Sequence, residues 1–156
     1  MLRKMSKRVE RFDAKLKQLA EDMFETMYEA EGIGLAAPQV GVAKRLFVMD
    51  IREPDVEPLA VVNPVIVERE GTELGEEGCL SMPGLIGAVE RSLSVVMEGL
   101  DLDGSPIRVE AKDLHARCIQ HEIDHLDGVL LIDYLSPIKR KMLLSKWKKK
   151  QTSAAG

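Results

Sequence analysis

Two histidines stand four positions apart in the segment 120–125, which reads QHEIDH. In a helix this spacing places His121 and His125 about 40° apart around the axis and one turn apart along it, so that both imidazoles can reach one metal ion. Glu122 follows the first histidine, where a carboxylate can serve a metal-bound water without occupying a coordination position. The pattern predicts a hydrolytic metal centre. The alternative is a pair of polar histidines on a buried helix, which so short a pattern does not exclude.

A catalytic metal centre needs a third protein ligand, for which the chain offers two cysteines, one further histidine and many acidic residues. His115 precedes His121 by six residues and points about 120° away from its helical face, which favours a capping or surface role. Cys118 lies on the right face but one turn away, and its short side chain suits the lining of a pocket. Cys79 lies in a glycine-flanked segment that can approach the helix from across the fold. Its thiolate is chemically the strongest candidate.

The length of 156 residues favours a single domain, 1–156, with residues 151–156 as a disordered tail. A composition of 45% hydrophobic and 31% charged residues is typical of a soluble globular protein. No apolar run reaches the roughly 20 residues that span a bilayer, and the basic N-terminus lacks the apolar core of a signal peptide. We therefore expect a cytoplasmic, monomeric protein without a membrane partner.

The net charge of −4 is unevenly distributed, because both ends of the chain are basic and the middle is strongly acidic. Residues 139–150 contain seven Lys or Arg and no acid. This density of positive charge is compatible with an anionic partner such as RNA. A helix face exposed to solvent would show the same composition.

Hydrophobic periodicity predicts the elements that position these residues. An amphipathic helix is expected to begin at the cap Asp13 and to stop near Gly32. Strands are expected at 45–51 and 59–68, the second with an edge or bulge at Pro64, and a hairpin at 92–100 and 107–112.

The remaining segments complete the prediction. Residues 76–84 are expected to form a loop, and a buried helix capped by Asp113 should run to about Leu126, with Leu114 on its apolar stripe. A short strand at 129–132 and a C-terminal helix beginning at Ser136 should follow. Strands joined by short turns favour an α+β fold over a doubly wound sheet.

Three segments together resemble the signature motifs of peptide deformylase, namely GIGLAAPQ at 32–39, EGCLS at 77–81 and QHEIDH at 120–125. The resemblance implies an α+β fold of antiparallel sheets wrapped around a central metal-binding helix, with an N-terminal and a C-terminal helix. It implies hydrolysis of the formyl group from the N-terminal formylmethionine of new polypeptides. The implied metal ligands are Cys79, His121 and His125. Fe(II) is the expected native metal, with zinc, nickel or cobalt as substitutes.

The resemblance also implies individual roles. The nucleophile would be a metal-bound water, and Glu122 would act as general base and then general acid. Gln39 and the backbone N–H of Leu80 match the family's donors to the formyl oxygen. Substrate contacts are expected from the residues at the remaining matching positions, namely Ile33, Gly34, Glu77, Gly78, Arg91 and Cys118. The C-terminal helix 139–150 would contact the ribosome, as it does in some relatives.

Two other functions share some of these features. A zinc peptidase of the HExxH type would use the same two histidines and Glu122. Its third ligand would be a carboxylate or histidine further along the chain, and Cys79 would not bind the metal. No histidine follows His125. A catalytically silent module that binds peptides or the ribosome would have no need of Glu122 and Gln39.

Overall fold

The computed structural model describes residues 5–79, 82–129 and 138, and it describes residues 78–79 and 82–87 by their backbone alone. Leu80, most of the predicted strand 129–132, the predicted C-terminal helix apart from Ile138, and the tail 151–156 therefore lie outside the described residues.

Helix α1 spans Ala14–Glu29 and begins as the sequence predicts. The side chain of Asp13 accepts a hydrogen bond from the backbone N–H of Leu16 at 3.1 Å, which satisfies one of the unpaired donors of the first turn. Four side chains of the apolar stripe are buried, namely Leu16, Ala20, Met23 and Met27. The helix ends three residues before Gly32, whose N–H donates to the carbonyl oxygen of Met27 at 2.9 Å.

The main sheet has five antiparallel strands in the order β1-β2-β3-β6-β7. Their bounds are β1 Gly34–Ala36, β2 Leu46–Met49, β3 Leu59–Glu70, β6 Ser94–Leu100 and β7 Pro106–Lys112. The register between β3 and β6 shifts between Val62 and Val65, so the irregularity predicted at Pro64 is confirmed.

In the part of the chain that the structure describes, a second sheet is formed by the hairpin of β4, Glu73–Cys79, and β5, Met82–Arg91. The prediction of a loop over 76–84 is therefore wrong. Glycine and glutamate have low strand propensity, and their abundance in this segment hides a strand that is held by its pairing with β5.

Helix α2 spans Asp113–Leu126 and ends at Asp127 and Gly128, as predicted. The cap position is Lys112 and carries no side-chain cap, so the predicted role of Asp113 is wrong. Leu114 is 42% exposed, so its predicted place on the buried stripe is wrong.

Strand β2, the second strand of the main sheet, is buried on both faces because it contacts both helices. Leu46 and Val48 pack with the buried side chains of α1, whereas Phe47 and Met49 pack with those of α2. The predicted α+β class, with antiparallel strands around a central helix, is confirmed. Among the described residues, no helix has both the length and the apolar composition needed to cross a membrane.

A short arm, residues 5–9, closes the carboxyl end of α2. The N–H of Ser6 donates to the carbonyl oxygen of Leu126 at 2.7 Å, and Arg45 donates to the same oxygen at 3.2 Å. The side chain of Asn63 holds the arm through two hydrogen bonds with the backbone of Val9, of 2.8 and 3.0 Å. These contacts satisfy backbone groups that the end of a helix leaves unpaired.

Candidate active site

The two predicted histidine ligands lie side by side on α2. The Nε2 atoms of His121 and His125 are 3.1 Å apart, and the ring planes meet at 72°. His125 is only 2% exposed. Two imidazole nitrogens at this separation can bind one cation, so the donor chemistry of the pair fits a divalent metal.

Glu122 accompanies this pair. One ligand atom from each of His121, Glu122 and His125 lies within 4.8 Å of the others, and Glu122 Oε1 is 3.9 Å from His121 Nε2. The residue is 3% exposed. Its carboxylate therefore lies beside the histidines in a site with little access to bulk water.

Gly34 makes room for the Glu122 side chain. A Cβ atom at position 34 would lie 3.0 Å from Glu122 Cγ and 3.0 Å from Cys118 Sγ. Strand β1 can therefore cross this part of α2 only because residue 34 has no side chain.

The Nδ1 atom of His121 is hydrogen-bonded to a buried carboxylate. Glu77 Oε1 lies 2.8 Å from His121 Nδ1. Burial disfavours the charged carboxylate, but hydrogen bonds from His121 and Arg91 outweigh it and lower the pKa of Glu77 to about 2. Since an ionised carboxylate can only accept, Nδ1 donates to it, and Nε2 is the ring nitrogen that faces His125. Metal-binding histidines commonly have this support.

Arg91 extends the network away from the histidines. Its Nε and Nη2 donate to Glu77 at 2.9 and 2.8 Å, and its Nη1 donates to Asp124. Burial disfavours the guanidinium charge, but the bonds to Glu77 and Asp124 raise the pKa of Arg91. The structure thus supplies a partner for Asp124 that the sequence does not identify. In the described contacts, Glu77 and Arg91 support the helix, and their predicted contact with substrate stays a prediction.

Three other predicted residues lie on α2 or on segments beside it. Gln39 follows β1 in a short 3-10 helix, Ala37–Val40, and its Oε1 accepts from the N–H of Ala36 at 2.8 Å. Cys118 Sγ lies 3.6 Å from the carbonyl oxygen of Ile33. Burial raises the pKa of the Cys118 thiol, which keeps it protonated and favours a lining role over coordination.

The third predicted ligand lies on β4. The backbone of Cys79 pairs with Met82, and that of Gly78 pairs with Ile86. The Cys79 side chain and all of Leu80 lie outside the described residues. Glu77 precedes Cys79 by two positions, and its contact with His121 brings this strand against α2.

Sequence reasoning does not single out Arg117, which contacts Glu77 from the helix side. The available signal is its spacing, because it stands four positions before His121 on the same helix face. A charged residue on a buried helix requires a partner, but the sequence does not identify which one.

Comparison with known proteins identifies the family. Residues 1–141 match the family model described as Polypeptide deformylase. A peptide deformylase of Thermodesulfovibrio yellowstonii is 48% identical over 97% of this chain and 93% of its own length. The chain belongs to the peptide deformylase family. The crystal structure of a peptide deformylase from Legionella pneumophila superposes with a TM-score of 0.93 at 48% identity, covering 99% of this chain and 91% of that one.

A further relative in the peptide deformylase family, from Synechococcus elongatus, was crystallised in complex with actinonin. It has a TM-score of 0.87 and 46% identity, over 93% of this chain and 81% of its own. Peptide deformylases are metal-dependent hydrolases that remove the formyl group from the N-terminal methionine of new polypeptides. The predicted enzyme class and reaction are therefore confirmed, and they are favoured over a zinc peptidase or a silent binding module.

Proposed function

We propose that deformylation takes place at the cluster of His121, Glu122 and His125, with Cys79 as the third protein ligand of the metal. The observation that carries this proposal is the 3.1 Å approach of the two Nε2 atoms beside the buried Glu122 carboxylate. The bond from His121 Nδ1 to Glu77 supports it, because this bond directs the Nε2 lone pair of His121 toward the site.

The donors proposed for the metal are one thiolate and two imidazoles. When bound, a divalent metal supplies Lewis acidity that lowers the pKa of a water molecule and polarises a carbonyl group. Soft thiolate and borderline imidazole ligands suit iron(II), zinc, nickel and cobalt better than magnesium or calcium. We expect Fe(II) to be the native metal. Metal analysis of protein purified without oxygen tests this, and zinc alone in such a preparation would contradict it.

Glu122 carries the proton in the proposed reaction. Its carboxylate accepts a proton from the attacking water and delivers it to the amine as the carbon–nitrogen bond breaks, which leaves formate and a free methionine terminus. Because Glu122 is buried, its proton is not readily lost to bulk water.

The oxyanion that forms during attack needs hydrogen-bond donors. We assign this role to the side-chain amide of Gln39 and to the backbone N–H of Leu80. Each donor would stabilise the transition state by roughly 3 kcal/mol. The bond from Ala36 N–H to Gln39 Oε1 fixes the orientation of the Gln39 amide.

Substrate binding is proposed along β1. Among the described strands, β1 lies at an edge of the main sheet, so the backbone of Gly34 could pair with an extended peptide. Ile33 and Cys118 would line the methionine pocket, and Gly78 and Arg91 would lie nearby. We expect the acyl site beside Glu122 to be narrow, because β1 packs closely on this part of α2 at Gly34, and a narrow site would favour a formyl group over larger acyl groups.

The decisive experiment measures release of formate from formyl-Met-Ala-Ser by the iron-loaded protein and by Glu122→Gln. General acid–base catalysis contributes about 10²- to 10⁴-fold, so the variant should lose that much of its kcat while keeping its metal. If the variant keeps its kcat, Glu122 is not the proton carrier. Stabilisation by actinonin, which the Synechococcus relative binds, would show that the ligand pocket of the variant remains intact.

Replacement of Cys79 distinguishes the proposed ligand set from that of an HExxH peptidase. Cys79→Ala should release the metal and abolish deformylation. An unchanged metal content in this variant would mean that another residue supplies the third ligand.

The proposed setting is the cytoplasm, where a monomer acts on nascent chains at the ribosome. The basic segment 139–150 is proposed as the ribosome contact, because its positive charge matches the phosphates of RNA. Deletion of residues 139–156 should reduce co-sedimentation with ribosomes. Unchanged co-sedimentation would remove this role.

A further inference from the structure

Arg117 makes three contacts with the β4–β5 hairpin through a single guanidinium group. Its Nη1 donates to Glu77 Oε2 at 2.5 Å and to the carbonyl oxygen of Val89 at 3.1 Å, and its Nη2 donates to the carbonyl oxygen of Glu73 at 2.9 Å. Glu73 belongs to β4 and Val89 to β5. One side chain of α2 therefore holds both strands of the hairpin.

Gly75 allows this arrangement. A Cβ atom at position 75 would lie 3.0 Å from the Cζ, 3.1 Å from the Nη2 and 3.3 Å from the Nε of Arg117. The guanidinium therefore packs directly on the backbone of β4, in the space that a side chain would occupy. A larger residue at position 75 would push the guanidinium away from its acceptors.

The same contacts reach the metal-binding histidine. Glu77 accepts from Arg117 through Oε2 and from His121 Nδ1 through Oε1. Arg91 also pairs with Glu77 but belongs to the hairpin itself. Arg91 also reaches Asp124 on α2, so two arginines connect Glu77 with the helix. Arg117 is the one that belongs to α2 and contacts both strands of the hairpin. The hairpin carries Cys79, whereas α2 carries the two histidines.

We propose that Arg117 is a positioning residue that sets the hairpin against α2 so that Cys79 and the histidine pair can bind one metal ion. This inference rests on the ligand set in the proposed function. Arginine suits the role because its rigid, planar fork reaches several acceptors at once, which a lysine ammonium on a flexible stem does not. The residue contributes to metal affinity and takes no part in the chemistry.

The test is the dissociation constant for Zn(II), measured on the full chain by competition with a chelator. Mutation of an outer residue that orients a metal ligand typically weakens affinity by 10- to 100-fold. We expect Arg117→Met to fall in this range, and Arg117→Lys to weaken binding as well, because the charge alone does not restore three contacts. At saturating metal, kcat should stay within a few-fold of the unmodified enzyme. The control is Arg108→Met, since Arg108 is a half-exposed arginine on β7 paired with Glu98.

A double-mutant cycle separates positioning from a general loss of stability. Gly75→Ala should weaken Zn(II) binding in the presence of Arg117, and it should have no further effect in Arg117→Met, because the displaced group is then absent. Additive effects would overturn the proposal. If Arg117→Met does not fold, Gly75→Ala provides the test by itself. A Gly75→Ala variant that binds zinc as tightly as the unmodified protein would then overturn the proposal.

Cys79→Ala identifies which inference has failed. If this variant loses zinc affinity while both Arg117 variants keep it, the ligand set stands and the role of Arg117 is wrong. If Cys79→Ala itself binds zinc normally, the proposed ligand set is wrong.

Discussion

Replacement of Gly34 by alanine tests the packing of the site most directly. The added Cβ would lie 3.0 Å from Glu122 Cγ and 3.1 Å from Glu122 Cδ, with Cys118 Sγ at 3.0 Å on its other side. Gly34 is not among the glycines with positive φ, so alanine introduces no backbone strain. The substitution therefore adds only volume, and the added methyl group presses on Glu122, the proposed proton carrier.

The size of the effect follows from these distances. Ordinary contact begins near 3.4 Å, so the carboxylate or the strand must move by at least about 0.4 Å. Because Glu122 is buried and packed, the movement changes its position relative to the histidines. A misplacement of about 1 Å can cost about 10²-fold in rate, so we expect kcat to fall by about 10- to 100-fold. Overpacking should also lower the free energy of unfolding by about 1–3 kcal/mol.

Formate release at saturating metal measures the effect on kcat, and chemical denaturation measures the effect on stability. The matched control is Gly104→Ala, in the turn before β7, where the φ of +83° makes alanine strained but the added Cβ only touches Phe12. This control should lose about 1–2 kcal/mol of stability and keep its kcat. If Gly34→Ala retains kcat within twofold and keeps its metal, Glu122 is not held against β1 in the active enzyme, and the reasoning fails.

Three further outcomes are expected. Cys79→Ser should bind Zn(II) more weakly than the unmodified enzyme, as measured by chelator competition, because a hydroxyl group ionises far less readily than a thiol; equal affinity would contradict the ligand assignment. Asn63→Ala should lower the free energy of unfolding by about 3 kcal/mol in a denaturant titration. The substitution removes both hydrogen bonds to Val9 and places alanine at a φ of +51°. A loss below about 1 kcal/mol would contradict this reasoning. Burial lowers the pKa of His115 from its usual 6.5, an effect that Glu53 opposes, so protonation favours the unfolded chain. Stability should therefore fall as the pH drops below about 6.5, by at most about 1.4 kcal/mol per pH unit, and a pH series of unfolding curves for His115→Gln should show a shallower dependence.

The parts of the fold that are predictable from sequence are those with a local pattern. The stripe of α1, the alternating strands around the turn at 101–105 and the buried helix 113–126 each bury one or more regular faces, and periodicity reveals such faces. The hairpin of β4 and β5 has no such pattern, because its first strand is rich in glycine and glutamate and is held by long-range bonds.

The residues of the site also fall into two groups, those that a local sequence pattern predicts and those that it does not. The spacing of His121 and His125 places both imidazoles on one helical face, so the pattern favours a metal centre, and the resemblance of the three motifs to the family strengthens that prediction. The roles of Glu77 and Arg91 are not predictable, since their partners stand far apart along the chain and belong to different elements. Likewise, the approach of Gly34 to Glu122 depends on how β1 crosses α2, which no local motif encodes.

The arm that closes the carboxyl end of α2 has a consequence for biosynthesis. Ser6 is made before its partner Leu126, which follows about 120 residues later, or about 6 to 24 s at usual elongation rates. Strands β1 to β3 can associate during this interval. The arm can close over the end of α2 only after Leu126, and therefore both histidines, have been made. Catalytic competence thus depends on a helix that is made after the strands against which it packs.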